Sequence, residues 1–484
     1  MEAKDFIINV GPNGTFRPSG SYQTLPEHID AIFQCYETDK VKKISIYFHG
    51  GLVNEKNGMK TSFKMGKHIV DAGQTPLCFV WETGLMEIVS ANLTKITDTS
   101  LFNKIIKILV GKLSEKLGFE LPEGHRTYDF STNTHIESEL FNPIPFESYN
   151  QEKLIATNKG VETITLLDNN ETDLIRSLEG DFSNLIQADP DFTNAIANTK
   201  LTINSDKHEQ AARGIISIEM FVKRVAIIAF RVIKRFINKR DHDFYPTIVE
   251  EILRELYIAE LGAWVWNNMK VKASDMWKDN QNLSGLNLFA GRYLLDKLID
   301  YTKKNNDIEI NLIGHSAGSI AICNLLNTTS NIYPQLVYNK IAFMAPACRI
   351  DLFNNEAVMN KNRFKHFRMF TMNNQFETND CLVPYFYTHS LLYLISGILE
   401  DEGKEFDGYI LGLERHIQGT YPYDSAQELI NTNEFLFEAS TKRIAFSKTD
   451  SNAPDGLKTK SISHGGFDDD NETIKSIKYF LNET

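Results

Sequence analysis

From Ile308 to Leu326 the chain runs as strand, tight turn and helix without interruption. Ile308-Glu309-Ile310-Asn311-Leu312-Ile313 alternates apolar and polar positions, Gly314-His315-Ser316-Ala317-Gly318 follows directly, and Ser319–Leu326 has helical composition. A serine at the tip of such a turn stands above the edge of a sheet, and its flanking positions have no room for large side chains. Gly314 and Gly318 let strand and helix close around it, and Ala317 offers a backbone N–H to a developing oxyanion. A serine hydroxyl is a weak nucleophile at neutral pH, so the rest of the chain must supply a general base and a carboxylate to orient it.

Of the twelve histidines, only His366, His389, His416 and His464 lie well downstream of Ser316. His464 is the favoured base. It sits in the glycine-punctuated loop Ser461–Asp470, after a short strand at Arg443–Phe446 and before an amphipathic helix at about Glu472–Leu481, N-capped by Asp470 or Asn471. His416, flanked by Glu414 and Arg415, reads as the polar face of a turn. His366 opens a strand and His389 lies in an apolar helix-like run, both structural positions. For the acid, a strand at Lys365–Met372 leads into a polar loop closing on Asp380, with Glu377 as the substitute. A third strand, Lys43–Phe48, ends in His49-Gly50-Gly51-Leu52, where glycine lets the main chain approach a reacting carbonyl. The oxyanion donors are therefore assigned to Gly51 (or Leu52) and Ala317.

These motifs together resemble the α/β-hydrolase superfamily, specifically lipase- or esterase-like serine hydrolases. The resemblance rests on His49-Gly50-Gly51-Leu52, Gly314-His315-Ser316-Ala317-Gly318-Ser319, Asp380 and Ser463-His464-Gly465-Gly466, and covers roughly 1–90 and 255–484. It implies a mostly parallel, twisted sheet with helices on both faces and acyl-transfer chemistry without a cofactor. It also implies that Ser316, His464 and Asp380 act as nucleophile, base and orienting acid. More than 200 residues separate Leu52 from Ser316, far more than a minimal hydrolase needs. The β/α rhythm is lost within that interval, so 91–250 is read as a mainly helical cap, with 1–90 and 251–484 as the two parts of the core.

The cap is expected to carry a helix at Ala91–Leu117, a polar irregular stretch at about 118–210, and a second long helix at Arg213–Arg240. In that last helix Lys223, Arg224, Arg231, Lys234, Arg235 and Lys239 share one face when stepped at 100° per residue. The expectation is a solvated basic face or a peripheral contact with anionic membrane, and this ranks a lipid or phospholipid acyl ester as first substrate. A soluble small ester or thioester ranks second and a peptide third. The reading from another class is an inactive hydrolase-fold binding module.

A net charge of −12 argues against nucleic-acid binding. The run Asp468-Asp469-Asp470 reads as stabilisers of a helix N-terminus rather than metal ligands. Five cysteines without a Cys-x-x-Cys pair, no apolar run of transmembrane length and no basic-apolar start at Met1–Phe6 lead to an expectation of a cytoplasmic protein with reduced thiols.

Overall fold

A computed structural model describes residues 2–50, 54–81, 85–97, 99–118, 134–140, 142–147, 171–203, 212–261, 263–400 and 406–483. The chain divides into two compact units. The first comprises 1–87, 264–380 and 409–484, and the second comprises 88–263 and 381–408.

The first unit is built on seven parallel strands: β1 (Ile7–Asn9), β2 (Lys43–Phe48), β3 (Thr75–Val80), β6 (Glu309–His315), β7 (Tyr338–Met344), β8 (Phe364–Met372) and β9 (Ile444–Ser447). Their order across the sheet is β1-β3-β2-β6-β7-β8-β9. The central strands are buried along nearly their whole length, as expected of parallel strands covered on both sides. Tyr47, Ile313, Ala342 and Phe370 pack on one face with Met65 and Ile69 of the helix Glu55–Asp71 and Ile474, Ile477 and Phe480 of the helix Asn471–Asn482. The helix Gly318–Ile332 lies on the other face, where Ile322 meets the backbone of Gly314. Asp470, rather than Asn471, caps the last helix, accepting from the amides of Glu472 and Thr473. The first long helix starts at Pro26, and just before it the Thr24 hydroxyl accepts from the Asn9 main-chain N–H at 2.8 Å.

Among its described residues the second unit is mainly helical, with one antiparallel pair, β4 (Lys200–Ile203) and β5 (Ala212–Ile215). Three sequence readings change here. The predicted helix over 91–117 is two helices, Leu85–Thr97 and Ser100–Leu117, the second capped by Thr99. The stretch expected to be irregular contains the helices Glu171–Gln187 and Pro190–Asn198; Leu174, Leu178, Phe182 and Ile186, at four-residue spacing, give the first its buried stripe. The boundary expected at 250 lies at 263, because the helix Phe244–Ile252 continues through a π turn, Leu253–Tyr257, into Ile258–Leu261. Residues 381–408, assigned to the core from the sequence, belong to this unit as well: Tyr387 donates to the buried carboxylate of Glu250 at 2.6 Å.

The basic helix spans Ile218–Ile237, and four of the six cations read onto its basic face are paired with carboxylates inside the unit. Arg224 and Arg231 both pair with Glu255, and Lys234 reaches Glu171 at 2.8 Å. Arg235, predicted on the solvated face, is fully buried between Glu250 at 2.8 Å and Glu251 at 3.0 Å. Lys223, on the same face, is exposed beside Glu219 at 3.7 Å. Among the described residues no helix is long and apolar enough to cross a membrane.

Candidate active site

Strand β6 ends at His315, and the chain turns through Ser316 at φ 50°, a conformation that costs a non-glycine residue about 1–3 kcal/mol and that the surrounding packing must impose. Three main-chain bonds fix the turn. The Ser316 N–H donates to Met344 O at 2.8 Å, while its carbonyl accepts from the amides of Ser319 and Ala347, each at 3.1 Å. The flanking glycines meet the requirement read from the sequence. A Cβ on Gly318 would stand 2.3 Å from Phe48 O, and one on Gly314 would stand 2.8 Å from Ile322 Cδ1. Any side chain at either position would push the helix off β2 and β6.

His464 lies in a short 3-10 turn, His464–Gly466, between β9 and the last helix, and its Nε2 is 2.8 Å from Ser316 Oγ. Both residues are buried. Burial first, and then the neighbouring His315, push the His464 pKa down to about 3 against the pull of Asp468, so the imidazole is neutral at neutral pH. A neutral imidazole facing a hydroxyl at this distance can accept its proton.

Asp380 comes to the same place by a different contact from the one expected. Its Oδ2 accepts the backbone N–H of His464 at 2.7 Å, while the ring Nδ1 is buried without a hydrogen-bond partner. The acid therefore holds the main chain of His464 and not its tautomer. Burial raises the Asp380 pKa, and the His464 amide pulls it partly back. Glu377, the substitute acid, is buried on the helix Asn374–Asn379 and does not bond the ring either.

A second pair, unforeseen from the sequence, completes the grip. His315 Nε2–H donates to His464 O at 3.0 Å, its Nδ1 faces Asp468 Oδ2 at 3.5 Å, and the two imidazoles lie 5.8 Å apart at 30°. Burial lowers the His315 pKa, but the charge and hydrogen bond of Asp468 outweigh it and the net shift is upward. The same pairing outweighs burial for Asp468, whose net shift is downward. His464 is thus held at its N–H by Asp380 and at its C=O by His315. The signal available in the sequence was slight: His315 is the variable residue of Gly-x-Ser, and Asp468 lies one helical turn beyond His464. Of its neighbours in the acidic run, Asp469 pairs with Lys64 and Asp470 is the cap.

Ala317, assigned from the sequence as an oxyanion donor, stands at the N-cap of the helix Gly318–Ile332, at the positive end of its dipole. Gly51 and Leu52, the other assigned donors, lie outside the described residues. Gly50 is described and close: a Cβ there would be 3.3 Å from Ser316 Cβ. The start of its loop is pinned by His49, whose Nδ1–H donates to Gly50 O at 2.6 Å and whose Nε2 accepts from Trp81 N–H at 3.2 Å. Burial lowers the His49 pKa to about 4, so it serves as a neutral bracket.

The other histidines downstream of Ser316 lie elsewhere. His416 is buried and not on a polar turn face, its Nδ1 accepting from Ile410 N–H at 2.9 Å. His389 belongs to the second unit, beside Asp243 at 3.2 Å, and His366 is exposed near the start of β8. Among the described residues no cluster of His, Cys, Asp and Glu is placed to hold a metal ion. Comparison with family models, curated proteins and solved structures finds no match for this chain.

Proposed function

We propose that this chain is a serine hydrolase of the α/β-hydrolase kind that cleaves a carboxylic ester through an acyl-enzyme. The single observation that carries the reading is the 2.8 Å contact between Ser316 Oγ, on its strained strand–helix turn, and the neutral Nε2 of His464. The order Ser316, Asp380, His464 along the chain agrees with it, as does a parallel sheet that presents the serine after a strand's C-terminal end. In the reaction Ser316 Oγ attacks the ester carbonyl while its proton passes to His464. The amide of Ala317 and those of the loop after β2 stabilise the oxyanion, the alcohol leaves with the proton from His464, and water then hydrolyses the acyl-serine.

Within ester hydrolysis, a soluble small ester or thioester ranks ahead of a lipid. The lipid reading leaned on free cations along the basic helix, and Arg224, Arg231, Lys234 and Arg235 are each paired with a carboxylate. The test is labelling with a fluorophosphonate, which reacts only with an activated serine, together with hydrolysis of p-nitrophenyl esters of short and long acids. Labelling of the native chain that is lost in Ser316→Ala and His464→Ala supports the reading. A folded native chain that takes no label refutes it and leaves the inactive binding module.

A further inference from the structure

At the opposite edge of the sheet from Ser316, where β7 and β8 begin and the chain enters β9, the first unit has a cavity of about 430 Å³. Its charge is out of keeping with a chain of net charge −12. Lys340, Lys361, Lys365, Arg368, Lys442 and Arg443 line it, and Glu483 is the one acid among the lining residues.

The cations fall into two groups. Lys340 and Arg368 are buried, and Arg443 is partly buried; their charge is fixed in place by main-chain carbonyls and ring faces. Arg443 stacks on Phe435 at 4.0 Å and Arg368 on Phe480 at 4.4 Å. Two carboxylates engage this group, Glu438 on Arg443 at 2.7 Å and Glu483 on Arg368 at 3.1 Å, and the charge of Glu438 also bears on Lys361. Lys361, Lys365 and Lys442 are exposed and, among the described residues, hold no carboxylate. The positive potential registers on His366 beside them. Partial burial and then the charges of Lys340 and, less strongly, Lys365 and Arg368 hold its pKa below the ordinary histidine value.

Like charges gathered in a concave site at this density repel unless a counter-charge joins them, and a site of this size suits a small molecule. Glu438 bears on Lys361, and a single further carboxylate would answer only one of the three exposed ammonium groups. A di- or triphosphate carries the several negative charges the site lacks, and ammonium groups bind phosphate as mobile point charges. We propose that this cavity binds a soluble phosphorylated small molecule, with a di- or triphosphate group lying among Lys361, Lys365 and Lys442. The site is independent of the Ser316 chemistry and stands or falls apart from it.

The test is calorimetric titration of the full chain with inorganic pyrophosphate and with ATP at low ionic strength. Saturable binding at one site that weakens as chloride is added is the expected result. Lys365→Glu with Lys442→Glu should weaken pyrophosphate about a hundredfold, and Lys365→Gln with Lys442→Gln about tenfold, at an unchanged melting temperature. These side chains are exposed, so the neutral pair keeps the test open if charge reversal impairs folding. Titrations that fail to saturate, or folded variants that bind as the native chain does, overturn the proposal. Sedimentation with phosphatidylglycerol vesicles in the absence of pyrophosphate binding overturns it too, since the anion would then be a lipid headgroup.

Discussion

Asp380→Asn separates two ways in which an acid can serve His464. If a carboxylate holds Nδ1–H, as the sequence order suggests, the amide inverts the preferred tautomer and costs about 10⁴ in turnover. The contact in this chain is Asp380 Oδ2 on the His464 main-chain N–H at 2.7 Å, with Nδ1 unpaired. Asparagine keeps an acceptor for that N–H and gives up only the charge. Net values of roughly 1.5–3 kcal/mol for a bond to a charged group and 0.5–1.5 kcal/mol for a neutral one leave a difference of about 1–1.5 kcal/mol. Expressed wholly in the placing of His464, that is about tenfold in rate. Asp380→Ala leaves the N–H without a partner and should cost more, about ten- to a hundredfold. The assay is kcat/KM on a p-nitrophenyl ester and the rate of fluorophosphonate labelling, with a thermal melt of each variant. A loss of about 10³ or more in Asp380→Asn, at an unchanged melting temperature, would show that the carboxylate acts on the ring and that the main-chain account is wrong.

Three further outcomes follow from the same site. His49 and His464 are held down from 6.5 to about 4 and about 3, so the unfolded chain binds protons that the folded chain refuses. Stability present above pH 6.5 is therefore lost as the pH falls toward those values, by about 3 kcal/mol for His49 alone; a melting temperature flat from pH 7 to pH 4 would contradict this. For His315 the sign is opposite, since its raised pKa makes its pairing with Asp468 complete below the ordinary histidine value and lost as the pH climbs through the raised one. His315→Phe should lower kcat/KM about ten- to a hundredfold and remove any alkaline limb belonging to that titration, and an unchanged pH profile would sink the positioning role. Gly50→Val should slow labelling of Ser316 sharply at a nearly unchanged melting temperature, because the first carbon it adds lies 3.3 Å from Ser316 Cβ; full-speed labelling would place the reacting face elsewhere.

The strands were legible because a parallel sheet buried on both faces demands unbroken or alternating apolar runs, and Lys43–Phe48 coincides with its predicted bounds. The Ser316–His464 contact was legible because the tight strand–helix turn permits so few residue types at Gly314 and Gly318. What Asp380 would touch was not: spacing brings a carboxylate near His464 but does not choose between its ring and its main chain. The basic helix misled for a related reason. Stepping residues around one helix shows which face they share, but not what faces them; Glu250, Glu251 and Glu255, on the following helix and its π turn, pair Arg224, Arg231 and Arg235 of an apparently solvated face.

The pairing of β2 with β6 has a consequence for how the chain is made. The edge of β2 that must receive β6 emerges from the ribosome about 260 residues before its partner, since β2 ends at Phe48 and β6 begins at Glu309. At roughly 5–20 residues per second, the nascent β1-β3-β2 trio, complete only when β3 ends at Val80, waits some 11–46 s with an unfilled, largely apolar edge, a standing invitation to pair with another nascent chain. The second unit is itself incomplete over that interval, because residues 381–408 are synthesised later still. Cys78, buried in β3, reports on the wait: ribosome-bound chains stalled near residue 300 should leave its thiol open to maleimide, and chains extended past β8 should protect it. Equal protection at both lengths would mean that the trio finds cover before β6 arrives.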